Sequence, residues 1–111
     1  MGKKGEALAA KYLEEKGYQI IDKNFRCRLG EIDLIAVEGD FLVFIEVKLR
    51  SSLGFGHPLE SITKKKQDKI RQVAQYFLLQ NKKHCNVRID VISILINKLD
   101  KPQITHLENV F

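Results

Sequence analysis

The segment Gly30–Arg50, GEIDLIAVEGDFLVFIEVKLR, constrains the fold more than any other part of the chain. Its two halves, Glu31–Val37 and Leu42–Leu49, are rich in Ile, Val, Leu and Phe, side chains that suit a pleated, half-buried surface. Gly39-Asp40 between them is an accepted two-residue hairpin turn, so the halves are predicted to pair antiparallel. With Glu38 and Phe41 flanking the turn, Asp33 falls opposite Glu46, and Glu31 opposite Lys48. Directly opposed side chains have Cβ atoms about 4.5–5.5 Å apart. The carboxylates of Asp33 and Glu46 would then reach one divalent cation, with Lys48 on the same side two residues beyond Glu46. A slip of one residue in the pairing would send the two acids to opposite faces.

Acids and lysines that alternate with apolar residues often do nothing more than face water. Here the same face also carries Ile35, Val37, Leu42 and Phe44, which makes it apolar near the turn and charged only at its far end. Such a face is expected to be covered. Two directly opposed acids, moreover, are destabilising unless a cation or a proton intervenes.

A chain of 111 residues without a Pro/Gly/Ser-rich linker, internal repeat or long low-complexity tract reads as a single domain, residues 1–111. It is long enough to bury roughly 65% of its unfolded surface in one core. Cys27 and Cys85 are too few for a disulfide framework and match no zinc spacing, so a reduced, cytoplasmic setting is expected. The opening MGKKGEALAAKYLEEKG is interrupted by Glu6 and Lys11 and reads as neither a signal peptide nor a membrane span. His57, His84 and His106 are scattered and are not expected to be catalytic.

Nineteen Lys and Arg against fourteen Asp and Glu leave a formal charge of +5, which favours an anionic partner. Lys64, Lys65, Lys66, Lys69 and Arg71 cluster at the start of a predicted helix, where the helix dipole disfavours cations. That placement points either to a functional load or to a solvated basic face. A membrane surface is the weaker match, because no bulky apolar residues adjoin the lysines at the helix start.

Along the chain, Ala7, Leu8, Ala10, Tyr12 and Leu13 give residues 3–16 an apolar side, and Gly17 is a natural helix stop. A strand is predicted over Tyr18–Asn24, followed by the hairpin and a loop over Ser51–Pro58 with Gly54, Gly56 and Pro58 as breakers. Ser61 or Thr63 would cap a second helix, whose Ile70, Val73, Ala74, Phe77 and Leu78 recur at helical spacing up to about Asn81. Val87–Leu95 is a fourth strand, expected parallel to the third through a right-handed crossover, with a short edge strand over Gln103–Leu107. Asp90 with Arg88 is read as a buried ion pair fixing the fourth strand.

The order helix, three strands, helix, strand, with an acid on strand two and acid-x-lysine on strand three, resembles the restriction-endonuclease-like, or PD-(D/E)XK, nuclease core. More narrowly, the chain is similar to the YraN-like family of small bacterial proteins, often described as related to Holliday junction resolvases. The resemblance covers nearly the whole chain and is carried by Gly5-Glu6-Ala7, Tyr12-Leu13, Gly17-Tyr18, Asn24-Phe25-Arg26 and Gly30-Glu31-Ile32-Asp33-Leu34-Ile35. It continues with Val43 to Arg50, Phe55-Gly56, Lys66-Gln67 and Arg88-Ile89-Asp90-Val91.

The resemblance implies an α/β fold with a restriction-endonuclease-like core: a mixed sheet of three antiparallel strands and then a parallel one, flanked by helices. It implies that Asp33 and Glu46 hold one or two Mg²⁺ or Mn²⁺ ions, that Lys48 positions or polarises the attacking water, and that Glu6 supplies a further acid. Lys66 and Gln67 would approach the site or the phosphate, and Arg50 would contact phosphate. Lys64, Lys65 and Lys69 complete the expected nucleic-acid contacts. The implied activity is metal-dependent endonuclease cleavage of DNA, branched or otherwise structured, with a DNA-repair or helicase partner. Symmetric cutting of a four-way junction would require a homodimer. The competing expectation is a non-catalytic nucleic-acid-binding or adaptor module that keeps the nuclease fold.

Overall fold

The computed structural model describes residues 2–51, 62–81, 86–96 and 102–110. The predicted loop over Ser51–Pro58, apart from Ser51 itself, lies outside the described residues, as do Ser61, His57 and His84. The elements run α1 (Gly2–Glu15), β1 (Gln19–Cys27), β2 (Gly30–Glu38), β3 (Phe41–Ser51), α2 (Lys64–Asn81), β4 (Asn86–Ile96) and β5 (Gln103–Leu107). They build an α/β fold around one mixed sheet of order β1-β2-β3-β4-β5, in which β3 and β4 are parallel and the other neighbours antiparallel. No helix among the described residues is long and apolar enough to cross a membrane.

Each helix ends where its sequence says it should. Gly17, at φ 94°, turns the chain out of α1 while the amides of Gly17 and Tyr18 bond the carbonyls of Glu14 and Leu13 at 3.0 and 2.9 Å, the double closure that a left-handed glycine permits. Thr63 caps α2 by accepting from the Lys66 amide at 3.2 Å.

The two helices cover opposite faces of the sheet. Ala9, Ala10 and Leu13 of α1 pack on Leu34, Ala36, Val43, Ile45, Ile92 and Ile94. Ile70, Val73, Ala74 and Phe77 of α2 pack on Ile32, Ile35, Leu42, Phe44 and Ile89. Phe77 stands edge-on to both Phe25 and Phe44, with ring centroids 5.1 and 5.8 Å apart. The face bearing Ile35, Leu42 and Phe44 is thus covered, as its composition requires. Gly30, at φ 145°, is where the start of β2 comes closest to α2; a Cβ there would lie 3.2 Å from Val73 Cγ2.

Two predicted details are corrected. β1 does not stop at Asn24 but continues to Cys27, because Phe25 and Arg26 pair with Ile32 and Glu31. The β2–β3 register is the one the turn dictates, from Glu38↔Phe41 to Leu34↔Ile45, but the paired rungs end there. Asp33 and Glu46 are therefore not ladder partners, and neither are Glu31 and Lys48. The physical reason lies in Asp33 itself: its Oδ2 accepts the Val47 amide hydrogen at 2.7 Å, so a side chain stands between the strands where the next rung would form. Alternation breaks at the same place. Ile32 and Ile35, three residues apart, both pack on the α2 side.

Candidate metal and nucleic-acid site

The fork where β2 and β3 part collects the charges. The carboxyl of Asp33 is half-buried and lines one cavity with Glu46, which is 8% exposed. Burial, then the neighbouring Glu46 charge, push the Asp33 carboxyl up to about 7, against the pull of the Val47 amide; Glu6 adds to the rise. Glu46 Oε2 in turn is held by Lys66 Nζ of α2 at 2.9 Å and by Lys48 Nζ at 3.6 Å. Burial lowers the proton affinity of Lys48, and the adjacent Lys66 lowers it further. Burial opposes the charge on Lys66 too, but its bonds to Lys48 and Glu46 prevail and raise its pKa.

A cavity of about 230 Å³ opens onto this cluster, lined by Gly30, Glu31, Asp33, Glu46, Lys66, Lys69 and Ile70. The start of β2 with Glu46 of β3 makes one side of it and the first turns of α2 the other. Among the described residues, no group of three or more His, Cys, Asp or Glu is arranged to hold a metal ion. The donor set is a pair. Two hard carboxylates fit Mg²⁺ or Mn²⁺, since Mg²⁺ is commonly bound through only one or two carboxylates and keeps several waters.

The sequence-predicted residues divide clearly. Asp33, Glu46, Lys48 and Lys66 meet, and Lys69 lines the same cavity. Glu6 is buried at 8% exposure on α1, where Asn24 Nδ2 donates to its Oε1 at 2.6 Å. It lies close enough for its charge to act on Asp33. Arg50 follows on β3, outside the lining of the cavity. Gln67 turns back, its Nε2 donating to the Ile62 carbonyl at 3.3 Å just before the helix instead of approaching the acids. Lys64 is exposed and paired with Asp68 at 3.5 Å, and Lys65 is exposed beside it; neither joins the cluster. Glu31 pairs with Arg26 at 3.0 Å across the β1–β2 rungs instead of facing Lys48.

A second charged cluster, at the hairpin-turn end of the sheet, was legible only in part. Arg88 and Asp90 form the expected buried pair, Nε to Oδ1 and a terminal nitrogen to Oδ2, both at 3.0 Å. His106 Nε2 also meets Asp90 Oδ2 at 2.7 Å, and the Asn109 amide donates to Oδ1 at 2.9 Å. Arg88 further bonds the Tyr18 hydroxyl and pairs with Glu38 at 3.2 Å. Burial works against the charge on Asp90, yet these donors hold its carboxyl below the usual range. His106 enters this network through β5, whose five residues carry no charge pattern that singles it out. Asn24 was missed as well. Its signal is an amide side chain at the end of the predicted strand, a residue type that tolerates left-handed backbone.

The model of the family described as uncharacterised protein family UPF0102 matches residues 5–94. A UPF0102 protein of Rhodococcus opacus is 50% identical over 112 residues, spanning 100% of this chain and 95% of the relative. One from Alkaliphilus oremlandii is 51% identical over 115 residues, spanning 100% and 97%, and one from Caldicellulosiruptor saccharolyticus is 45% identical over 113 residues, spanning 100% and 96%. The chain therefore belongs to the UPF0102 family, the YraN-like group to which its motifs point.

Proposed function

We propose that this protein is a metal-dependent endonuclease of the restriction-endonuclease-like kind, acting on DNA and most readily on branched or structured DNA. One observation carries the reading: two carboxyls, on Asp33 and Glu46, are held against each other at a strand fork and flanked by two lysines. A divalent ion bound there would neutralise the carboxylate pair and activate water for attack on a phosphodiester.

The chain's own residues have definable tasks around that ion. Asp33 and Glu46 would bind it. Lys48, with its lowered proton affinity, can orient a water beside Glu46 or take its proton. Lys66 and Lys69 border the cavity and would hold a phosphate by charge alone, which gives binding that falls steeply with salt and carries little sequence preference. Nothing among the described residues is shaped to read base edges.

The test is incubation of the purified protein with forked and four-way-junction DNA in Mg²⁺ or Mn²⁺. Cleavage is expected for the wild type and not for Asp33→Asn or Lys48→Ala; cutting that survives both substitutions refutes the reading. The second reading, a DNA-binding adaptor for a repair complex or helicase, draws on the Lys66 to Glu46 ion pair at 2.9 Å, which satisfies the acid internally. Under it, DNA binds equally well with and without divalent ions, and Asp33→Asn changes nothing.

A further inference from the structure

Among the described residues, only two that are not glycine adopt left-handed backbone, Asn24 at φ 54° and Asn109 at φ 51°. Each sits against a buried acid. The Asn109 amide serves Asp90, and the Asn24 side chain serves Glu6. Left-handed backbone is unfavourable for a residue with a Cβ and persists where the surroundings over-determine it. At Asp90 the reason is evident, since the acid belongs to a network of matched charges. Among the described residues, Glu6 is bonded by the Asn24 amide, and its charge acts on Asp33, another acid.

Asn24 lies on β1 between the rungs Lys23↔Leu34 and Phe25↔Ile32, level with Asp33, so its bond brings the Glu6 carboxylate toward that acid. At the same time Glu6 is not grouped with Asp33 and Glu46 as a third ligand for one ion. We propose that Asn24 is a positioning residue: it holds the Glu6 carboxylate beside the Asp33–Glu46 pair, where Glu6 strengthens divalent-cation binding through its charge without ligating the ion. This rests on the metal-site reading above. The short amide arm and the left-handed turn act together, because the backbone conformation aims the Nδ2 donor at α1 and the bond fixes which way the Glu6 chain extends.

The test is calorimetric titration of the full chain with MnCl₂ for wild type, Asn24→Gly, Glu6→Gln, the double variant and Asp33→Asn. Glycine accepts φ 54° at no steric cost, so Asn24→Gly removes the amide and leaves the backbone at ease. Its Tm without metal should stay within a few degrees of the wild type, the eased backbone offsetting part of the lost amide donor. Its Mn²⁺ affinity should fall about tenfold, the lower end of what residues supporting a metal ligand contribute. Glu6→Gln should weaken binding to the same degree, and the double variant should be no weaker than the weaker single one. Wild-type affinity in Asn24→Gly, or losses that multiply in the double variant, overturns the proposal. A second measurement does not depend on metal: Asn24→Asp sets two carboxylates together and should lower Tm, and Glu6→Gln in that background should restore it. No restoration means the contact is absent in solution. If Asp33→Asn abolishes Mn²⁺ binding while Asn24→Gly does not, only the role of Asn24 fails. If Asp33→Asn binds as the wild type does, or the wild type binds no Mn²⁺, the metal site fails with it.

Discussion

Two clusters of charge lie on one sheet and treat their acids in opposite ways. Asp90 receives four donors, from Arg88 twice, His106 and Asn109, and its carboxyl is held below the usual range. Asp33 receives one backbone donor, faces Glu46, and is pushed up to about 7. Burial is common to both and raises both. What differs is that cations and donors meet Asp90 directly, whereas Asp33 faces another acid and the lysines pair with that acid, Glu46. The first arrangement matches its acid with charge and donors; the second leaves Asp33 against another acid and shifts its carboxyl the opposite way.

The comparison can be broken most directly at Asp90. Asp90→Ala removes the fully buried partner of Arg88, which keeps Glu38 and the Tyr18 hydroxyl, and should cost about 3–5 kcal/mol. A two-state melt would then fall by roughly 10–20 °C at about 4 °C per kcal/mol. A loss below about 1 kcal/mol would mean that the network is not matched as its geometry indicates. Asp33→Asn should go the other way. It retains an oxygen for the Val47 amide and removes one of the two opposed charges, and it should raise Tm at pH 8 without metal by a few degrees, on the order of 1–2 kcal/mol. In the same melts Mn²⁺ should stabilise the wild type and not this variant, as mass action requires of a ligand that binds only the folded state.

The pH dependence sharpens the contrast. A folded Asp33 value near 7 lies above the unfolded value, so its favourable contribution is complete below about pH 4 and is lost as pH rises toward 7. Each unit of separation corresponds to about 1.4 kcal/mol. The gain in Tm of Asp33→Asn over wild type should therefore grow between pH 4 and 7 and then level off. Asp90 is depressed, so its contribution is present above about pH 4 and lost as pH falls below its folded value. The penalty of Asp90→Asn should shrink on acidification. Urea melts at pH 3, 5 and 8 check both signs. The smallest effect is expected at Lys69, which lines the cavity from α2. Lys69→Ala should reduce the slope of log affinity for DNA against log salt by about one and leave Tm unchanged.

How far the sequence could be read depends on how far each signal travels. The register of the β2–β3 hairpin follows from Gly39-Asp40 because pairing propagates rung by rung from the turn, and the rungs from Glu38↔Phe41 to Leu34↔Ile45 obey it. Thr63 as a cap, the α2 stripe and the parallel β4 are equally local or periodic signals. The end of the ladder was not legible, because it turns on competition between one more rung and a side chain accepting the Val47 amide. His106 joining Asp90 depends on where β5 docks, and nothing within Gln103–Leu107 fixes that. Lys66 and Gln67 are neighbours with the same expectation attached, yet helix geometry sends one to Glu46 and the other back to the Ile62 carbonyl. Nuclease chemistry, in turn, is a matter of substrate and ion that no arrangement of residues states by itself.

The Asp33 to Val47 bond has a practical corollary. Asp33 acts as a wedge as well as a carboxylate: while its Oδ2 occupies the Val47 amide, that amide is not available to zip the strands further. Shortening the side chain to alanine removes the wedge together with the charge and invites the hairpin to close over the opening. A variant made that way would confound the lost carboxylate with a shut door, whereas asparagine props the strands apart and isolates the loss of charge.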